Sequence, residues 1–250
     1  MAANTKIEWC DHTFNPWWGC TKVSPACTSC YAEAFAKRTG HTVWGADAPR
    51  RLFGDKHWNE PLAWDRDAAL AGERRRVFSA SMADVFEDRR DLDSPRARLF
   101  ELIKATRNLD WLLLTKRPEN MPRLAPVSWR NAWPFNAWAG TTVEDQPRAN
   151  MRIGALQLVP APVQFLSMEP LLEAVRLPET WLYFAGTIQW CIVGGESGHV
   201  VRPLNVEWVR SLVRQCSEAG VKCFVKQDSG RLPGKQGRIP DDLWIKEFPR

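Results

Sequence analysis

Three cysteines stand in one short run, CTKVSPACTSC: Cys20, Cys27 and Cys30, separated by six and then two residues. A thiolate is a soft ligand, and three from one loop can hold a soft metal ion or an iron–sulfur cluster. Four would close a zinc shell or saturate an ordinary cluster. Three leave one iron open to a ligand that is not protein, and an open corner is where chemistry can occur. Cys10 and His12 lie just upstream. Either of them, joined to the three cysteines, would complete a structural zinc site, so spacing alone leaves both chemistries open.

Such a loop needs elements to position it. Short apolar runs recur along the chain, each ending in a polar loop and followed by a helical stretch. The runs predict strands at Ile7–Trp9, Arg76–Ser79, Trp111–Leu114, Ala137–Thr141, Val163–Leu166, Trp190–Val193 and Lys222–Val225. A helix over Tyr31–Arg38 follows the cysteine loop. Ser94 is a good N-cap with Pro95 at the first helical position, ahead of a helix burying Leu99, Leu102, Ile103 and Thr106. Pro118 opens a short helix, another runs through Met151 and Leu156, and Asn205 caps Val206–Ala219. Strand, loop and helix repeated in this way predict parallel strands with helical crossovers, buried on both faces. The expected fold is a single α/β domain: a full or partial (β/α) barrel of about six or seven parallel strands, with an open doubly wound sheet as the second choice. Residues 40–75 read as an irregular insertion, and the stretch from Ser229 onward as an extended cap carrying Arg231, Lys235 and Arg238.

In either fold a ligand binds at the C-terminal strand ends. The polar groups collect there: Ser81 and Asp84; Thr115, Lys116 and Arg117; Thr141, Thr142 and Glu144; Ser167 and Glu169; Gly194, Gly195, Glu196 and Ser197; Lys226 and Gln227. The cysteine loop, following the first strand, shares that rim. Lys116 suits a carboxylate, Glu144 or Glu169 suit an amine or ribose hydroxyls, and the Gly194-Gly195 pair lets backbone approach a ligand closely. A small zwitterionic ligand carrying a sugar matches this set. An internal salt-bridge network among the same residues is the competing reading.

Composition narrows the classes. With 250 residues, 44% hydrophobic and 25% charged, the chain can bury a substantial core as a globular protein. No apolar run reaches the length of a membrane span, and the N-terminus has no basic start followed by an apolar stretch, so a cytoplasmic location is expected. Seven cysteines, an odd number without a leader, argue against a disulfide framework. Cys191, Cys216 and Cys223 lie in apolar surroundings and read as buried, inert thiols. Cys10 reads as a plain loop thiol, with a hydrogen-donor or relay role as the alternative. A formal charge of +5 favours a polyanionic partner, and the tryptophan-rich stretches Trp9–Trp18 and Trp129–Trp138 can pack a core or stack on bases.

The segment IEWCDHTFNPWWGCTKVSPACTSCYAE, followed by SASMADVF, LLLTKRPEN, GTTVED, FLSMEPLL, IVGGESG and FVKQ, resembles a phage-associated three-cysteine-motif family. That family looks like a divergent branch of the radical S-adenosylmethionine enzymes, and the likeness runs over nearly the whole chain. The resemblance implies a TIM-barrel-like partial barrel with a 4Fe–4S cluster on Cys20, Cys27 and Cys30. Its open iron would take the amine and carboxylate of S-adenosylmethionine, and an electron donor such as flavodoxin or ferredoxin would trigger formation of a 5′-deoxyadenosyl radical. The strand-end rim read above supplies the expected cofactor contacts, among Ser81, Asp84, Lys116, Thr141, Glu144, Ser167, Glu169, Gly194, Gly195 and Glu196. The order Ser81, Lys116, Thr141 along successive strand ends also resembles the cofactor contacts of spore photoproduct lyases, more distant relatives. The first cysteine gap is wider than the radical-enzyme pattern. Ala80 stands where those lyases carry a hydrogen-donating cysteine, so thymine-dimer reversal by that route is not expected. The phage association and the basic balance lean toward DNA or a nucleotide as substrate, in base modification or repair. A zinc-binding protein, a non-catalytic nucleic-acid-binding module and a redox sensor are the alternatives.

Overall fold

The computed structural model describes residues 5–177 and 188–249. The first four residues, part of the stretch expected to carry no secretory leader, lie outside them. In chain order the strands are β1 His12–Thr13, β2 Trp17–Trp18, β3 Arg51–Leu52, β4 Arg75–Ser79, β5 Leu109–Thr115, β6 Ala137–Thr142, β7 Gln164–Met168, β8 Ile188–Gly194 and β9 Lys222–Gln227. The helices are α1 Tyr31–Arg38, α2 Asp55–Trp58, α3 Glu60–Ala71, α4 Asp93–Ala105, α5 Met121–Leu124, α6 Gln146–Gln157 and α7 Val206–Glu218.

Seven strands form one sheet in the order β1-β4-β5-β6-β7-β8-β9, every pairing parallel. Each sheet strand lies beside the next one along the chain. A doubly wound sheet reverses its order at a switch point; this one does not. Its ends, β1 and β9, do not pair with each other, so the sheet is a curled half-barrel. The expectation of a partial barrel holds, and the doubly wound alternative falls.

The two faces of the sheet feed two cores, because successive strand residues point to opposite sides. Val77, Trp111, Leu113, Ala139, Leu166, Cys191 and Val225 face outward and pack with the helices. Phe78, Leu112, Trp138, Phe165, Trp190, Ile192 and Phe224 face inward with Trp9 and Cys10. The inner face is thus filled largely by aromatic rings, with Trp190 touching Trp9, Trp138, Phe165, Phe224 and Phe248 edge-on or tilted. Gly140 makes room for this layer: a Cβ there would lie 2.2 Å from the Phe165 ring.

Three expectations change. The first sheet strand is His12–Thr13, and Ile7–Trp9 is a turn with Trp9 in the inner core. The helix expected to start after Ser94 begins at Asp93, because a 3-10 turn over Arg90–Leu92 leads directly into it. The 40–75 stretch carries α2 and α3 and the ribbon strand β3, with Pro61 in the first turn of α3 and Gly72 left-handed at its end. From Ser229 the chain crosses the strand ends, bridges Gly230 to Ser197, and then runs back along the sheet edge to pair Lys246 with Phe224. No described helix is long and apolar enough to cross a membrane.

Candidate metal centre

The cysteine loop leaves the sheet from β1 and is tied at once to the end of β4. Asn15 Oδ1 accepts from Met82 N at 2.7 Å, and Asn15 Nδ2 donates to Ser81 Oγ at 3.0 Å. Gly19 N donates to Met82 O at 3.0 Å. Gly19 has φ +115°, and a Cβ on it would lie 2.3 Å from Val43 O and 2.7 Å from Arg50 Cδ. Only glycine tolerates both the dihedral and the contact, and it delivers Cys20 directly. A 3-10 turn over Pro25–Cys27 then sets Cys27, and Cys30 is the N-cap residue of α1.

Two buried arginines hold the loop just after Cys20. Arg50 pairs with Glu87 through two bonds, Nε to Oε2 at 3.0 Å and Nη2 to Oε1 at 2.7 Å. It also donates to Val43 O, Gly45 O, Ala48 O and Thr21 Oγ1. Arg117 donates from Nη2 to Thr21 O at 2.6 Å, and from Nη1 to Asp84 Oδ2 at 2.8 Å and Cys20 Sγ at 3.8 Å. A third arginine, Arg202, is paired with buried Glu196 and donates to Pro25 O at 3.0 Å. Buried charges such as Arg50 and Arg117 persist only when paired and hydrogen-bonded, and here their remaining donors go to Thr21 of the cysteine loop and to the 43–48 segment beside it.

Each thiol of the loop is half-buried, free, and in the field of a cation. Burial pushes the Cys20 thiol up to about 12, Asp84 adds to the rise, and Arg117 opposes it. Burial also raises Cys27, but Lys116 and hydrogen bonds from Val23 and Ser24 bring it below the ordinary thiol value. Cys30 is raised by burial, with the backbone of Glu33 and Ala32 and the Lys116 charge partly offsetting it. Among the described residues no three His, Cys, Asp or Glu side chains converge as a single-ion shell requires. Cys10 lies in the inner aromatic core, whereas His12 stacks on Trp64 of α3 on the outer side. Among the described residues neither joins the three thiols in a single-ion shell. Three thiols spread along one loop, with cations to offset their charge, fit a cluster, whose irons take their thiolates at separate corners.

The other expected site residues divide into two groups. Lys116 Nζ reaches Thr142 Oγ1 at 3.3 Å, and no carboxylate among the described residues pairs with it. Ser81 sits beside Asn15, and its carbonyl accepts from Tyr31 Oη at 2.9 Å. Thr141, which donates to Thr115 O, and Ser167 are buried at the ends of β6 and β7. Glu169 pairs with Lys226 across the ends of β7 and β9. The second group is engaged in holding the fold. Asp84 accepts from Thr115 Oγ1, Phe86 N, Lys116 N and Arg117. Glu144 is fully buried, its Oε2 accepting from Arg152 Nη1 of α6 at 2.7 Å and its Oε1 without a hydrogen-bond partner among the described residues. Glu196 holds Arg202. Gly195 allows a close approach of protein: a Cβ there would lie 2.3 Å from Ser229 N. At Gly194 a Cβ would meet Gln227 only at ordinary contact distance.

Asn15, Tyr31, Arg50, Glu87 and Arg202 belong to the centre and carried no motif of their own. Tyr31 directly follows Cys30, and its hydroxyl, turned in to donate to Ser81 O at 2.9 Å, is raised above its usual range by burial first and then by the charges of Cys30 and Glu169. Its position next to the third cysteine was the available signal.

Fold and centre together define a parallel α/β half-barrel protein whose three-cysteine loop sits at the C-terminal strand ends. The chain belongs to the family described as "Protein of unknown function (DUF5131)", whose model matches residues 4–242. No curated protein matches it by sequence. Among solved structures its fold is similar to spore photoproduct lyase complexed with dinucleoside spore photoproduct. The TM-score is 0.50 and the identity 14%, over 86% of this chain and 63% of that chain. A structure of a cysteine-to-alanine mutant of that lyase, also with dinucleoside spore photoproduct, gives the same values. The chain thus spans under two thirds of that enzyme's length, and the likeness is one of fold.

Proposed function

We propose that this chain is a radical S-adenosylmethionine enzyme that carries a 4Fe–4S cluster on Cys20, Cys27 and Cys30 and acts on DNA or a nucleotide, in base modification or repair. The observation that carries this reading is the set of three free, half-buried thiols on one loop at the C-terminal ends of a half-barrel, Cys20 in contact with Arg117 and Cys27 and Cys30 in the field of Lys116. When bound, such a cluster with S-adenosylmethionine supplies one-electron cleavage of a sulfonium and so access to hydrogen-atom abstraction.

The chain's own residues have separable tasks in this reading. Lys116, lacking a carboxylate partner among the described residues, takes the carboxylate of the methionine moiety. Ser81, Thr141 and Ser167 offer hydroxyls at the ends of three strands, and Glu169 offers an acceptor for an amine or ribose hydroxyl. Gly194 leaves a side-chain-free strand end beside them. Asp84, Glu144, Gly195 and Glu196 act one step back, as scaffold for the loop and the helices. The aromatic inner core excludes water from beneath the rim, so polar contacts made there are strengthened. The net charge of +5 and the fold likeness to an enzyme complexed with a dinucleoside support a nucleic-acid substrate.

Anaerobic reconstitution with iron and sulfide tests the reading. The expected result is a brown protein with about four irons and four sulfides per chain, which forms 5′-deoxyadenosine from S-adenosylmethionine under a strong reductant. A colourless protein that retains zinc instead would overturn it.

A further inference from the structure

Arg117 has no place in the binding roles above, yet its guanidinium meets the first cysteine's sulfur. Nη1 lies 3.8 Å from Cys20 Sγ and 2.8 Å from Asp84 Oδ2, while Nη2 donates to the carbonyl of Thr21, the residue that follows Cys20. The side chain is buried, 8% exposed for the residue as a whole. Its backbone is fixed by a 2.9 Å bond from Arg117 N to Thr115 Oγ1, and Asp84 accepts from both Thr115 and Lys116. Strand β5, its following turn and the loop after β4 therefore aim one N–H at one sulfur.

We infer that Arg117 is a positioning residue that sets the reduction potential of a cluster held by Cys20, through a hydrogen bond to that sulfur whose strength Asp84 moderates. This rests on the cluster reading proposed above. Reduction adds one electron, drawn from an external low-potential donor that is oxidised by one electron. No bond is made or broken and no proton is taken up. The added negative charge spreads onto the thiolate sulfurs, so a donor at a sulfur stabilises the reduced form more than the oxidised one and raises the potential. Asp84 pairs with the same Nη1 and offsets the guanidinium charge. Removing the arginine and removing the aspartate charge must therefore move the potential in opposite directions. A loop clamp without a tuning role makes no such prediction. Arg202 supplies the contrast, because it holds Pro25 O of the same loop and contacts no thiol among the described residues.

The test is a redox titration, followed by electron paramagnetic resonance, of reconstituted wild type, Arg117→Met, Asp84→Asn and Arg202→Gln, each first assayed for iron and sulfide. At a fixed donor potential, Arg117→Met is expected to lower the ratio of reduced to oxidised cluster about tenfold, a negative shift of about 59 mV for a one-electron couple. Asp84→Asn is expected to shift it positively, and Arg202→Gln to leave it in place. Loaded Arg117→Met with an unmoved potential overturns the inference, as does a shift of the same sign in all three variants. If Arg117→Met does not load, the sign of the Asp84→Asn shift decides: a negative or zero shift overturns the inference. Wild type that takes up no iron and sulfide overturns the cluster reading, and the inference with it. A normal cluster with none of these shifts overturns the inference alone.

Discussion

Two groups of rim residues handle charge in opposite ways. Around Cys20, charges are buried and mutually satisfied: Arg50 with Glu87, Arg117 with Asp84, and the remaining guanidinium donors shared between Thr21 of the cysteine loop and the 43–48 segment beside it. Beside it, among the described residues, the Lys116 ammonium has a single hydroxyl contact, and Glu169 has one partner, Lys226. The first region resembles a clamp and the second a receptor. Reorganising a saturated network costs its whole hydrogen-bond set, whereas an unpaired lysine gains by meeting an anion. Counting polar residues at strand ends does not distinguish the two; counting their partners does.

The largest effect that would break this contrast is at the thiols themselves. Replacing Cys20, Cys27 or Cys30 singly with alanine is expected to abolish cluster loading and 5′-deoxyadenosine formation, while Cys10→Ala keeps both. Iron and sulfide analysis beside the visible spectrum checks it. Next comes the clamp. Glu87→Ala leaves Arg50 as an uncompensated buried charge, an expected loss of about 3–5 kcal/mol measured by urea unfolding. On the receptor side, Lys116→Met is expected to leave unfolding nearly unchanged. It should weaken S-adenosylmethionine binding about tenfold to a hundredfold, as for a lost hydrogen bond to a charged group. Equilibrium dialysis on the reconstituted protein reads it. If Glu87→Ala weakened binding without touching stability, or Lys116→Met unfolded the chain, the division between clamp and receptor would be wrong.

The frame of the fold was legible because most sheet strands are buried on both faces and so spell themselves as apolar runs, as in Ala137–Thr142 and Lys222–Gln227. β1 was missed for the complementary reason. It is two residues long, His12 and Thr13, and is a strand only by pairing with Val77 and Phe78, so no pattern marks it. α3 was missed although Pro61 and Gly72 bracket it, because its apolar positions are weakly segregated around the helix. At the centre the cysteines were legible as a motif. The pairing of Glu144 was not, since it depends on Arg152, eight residues on. Arg50 and Arg117 were unreadable as clamps for the same reason: a single arginine shows its partner only after folding.

The smallest effect tests whether clamp-like pairing extends to the last strand. Asp228, buried at the end of β9, accepts two bonds from Arg238, Nε at 2.8 Å and Nη2 at 2.8 Å, together with the Arg238 and Ser229 backbone N–H groups. Burial acts to raise its pKa, but these bonds hold it below the ordinary carboxylate value. A carboxyl depressed on folding stabilises the native state above its unfolded pKa, about 3.9, and loses that contribution as pH falls through the folded value. Stability is therefore expected to decline below about pH 4 more steeply in wild type than in Asp228→Asn. Arg238 is mostly solvent-exposed, which screens the pair, so the difference between the two at neutral pH should stay within about 1 kcal/mol. Urea midpoints at pH 7 and pH 3 measure both. Parallel acid limbs would show that this pair, unlike Arg50 with Glu87, adds nothing beyond local geometry.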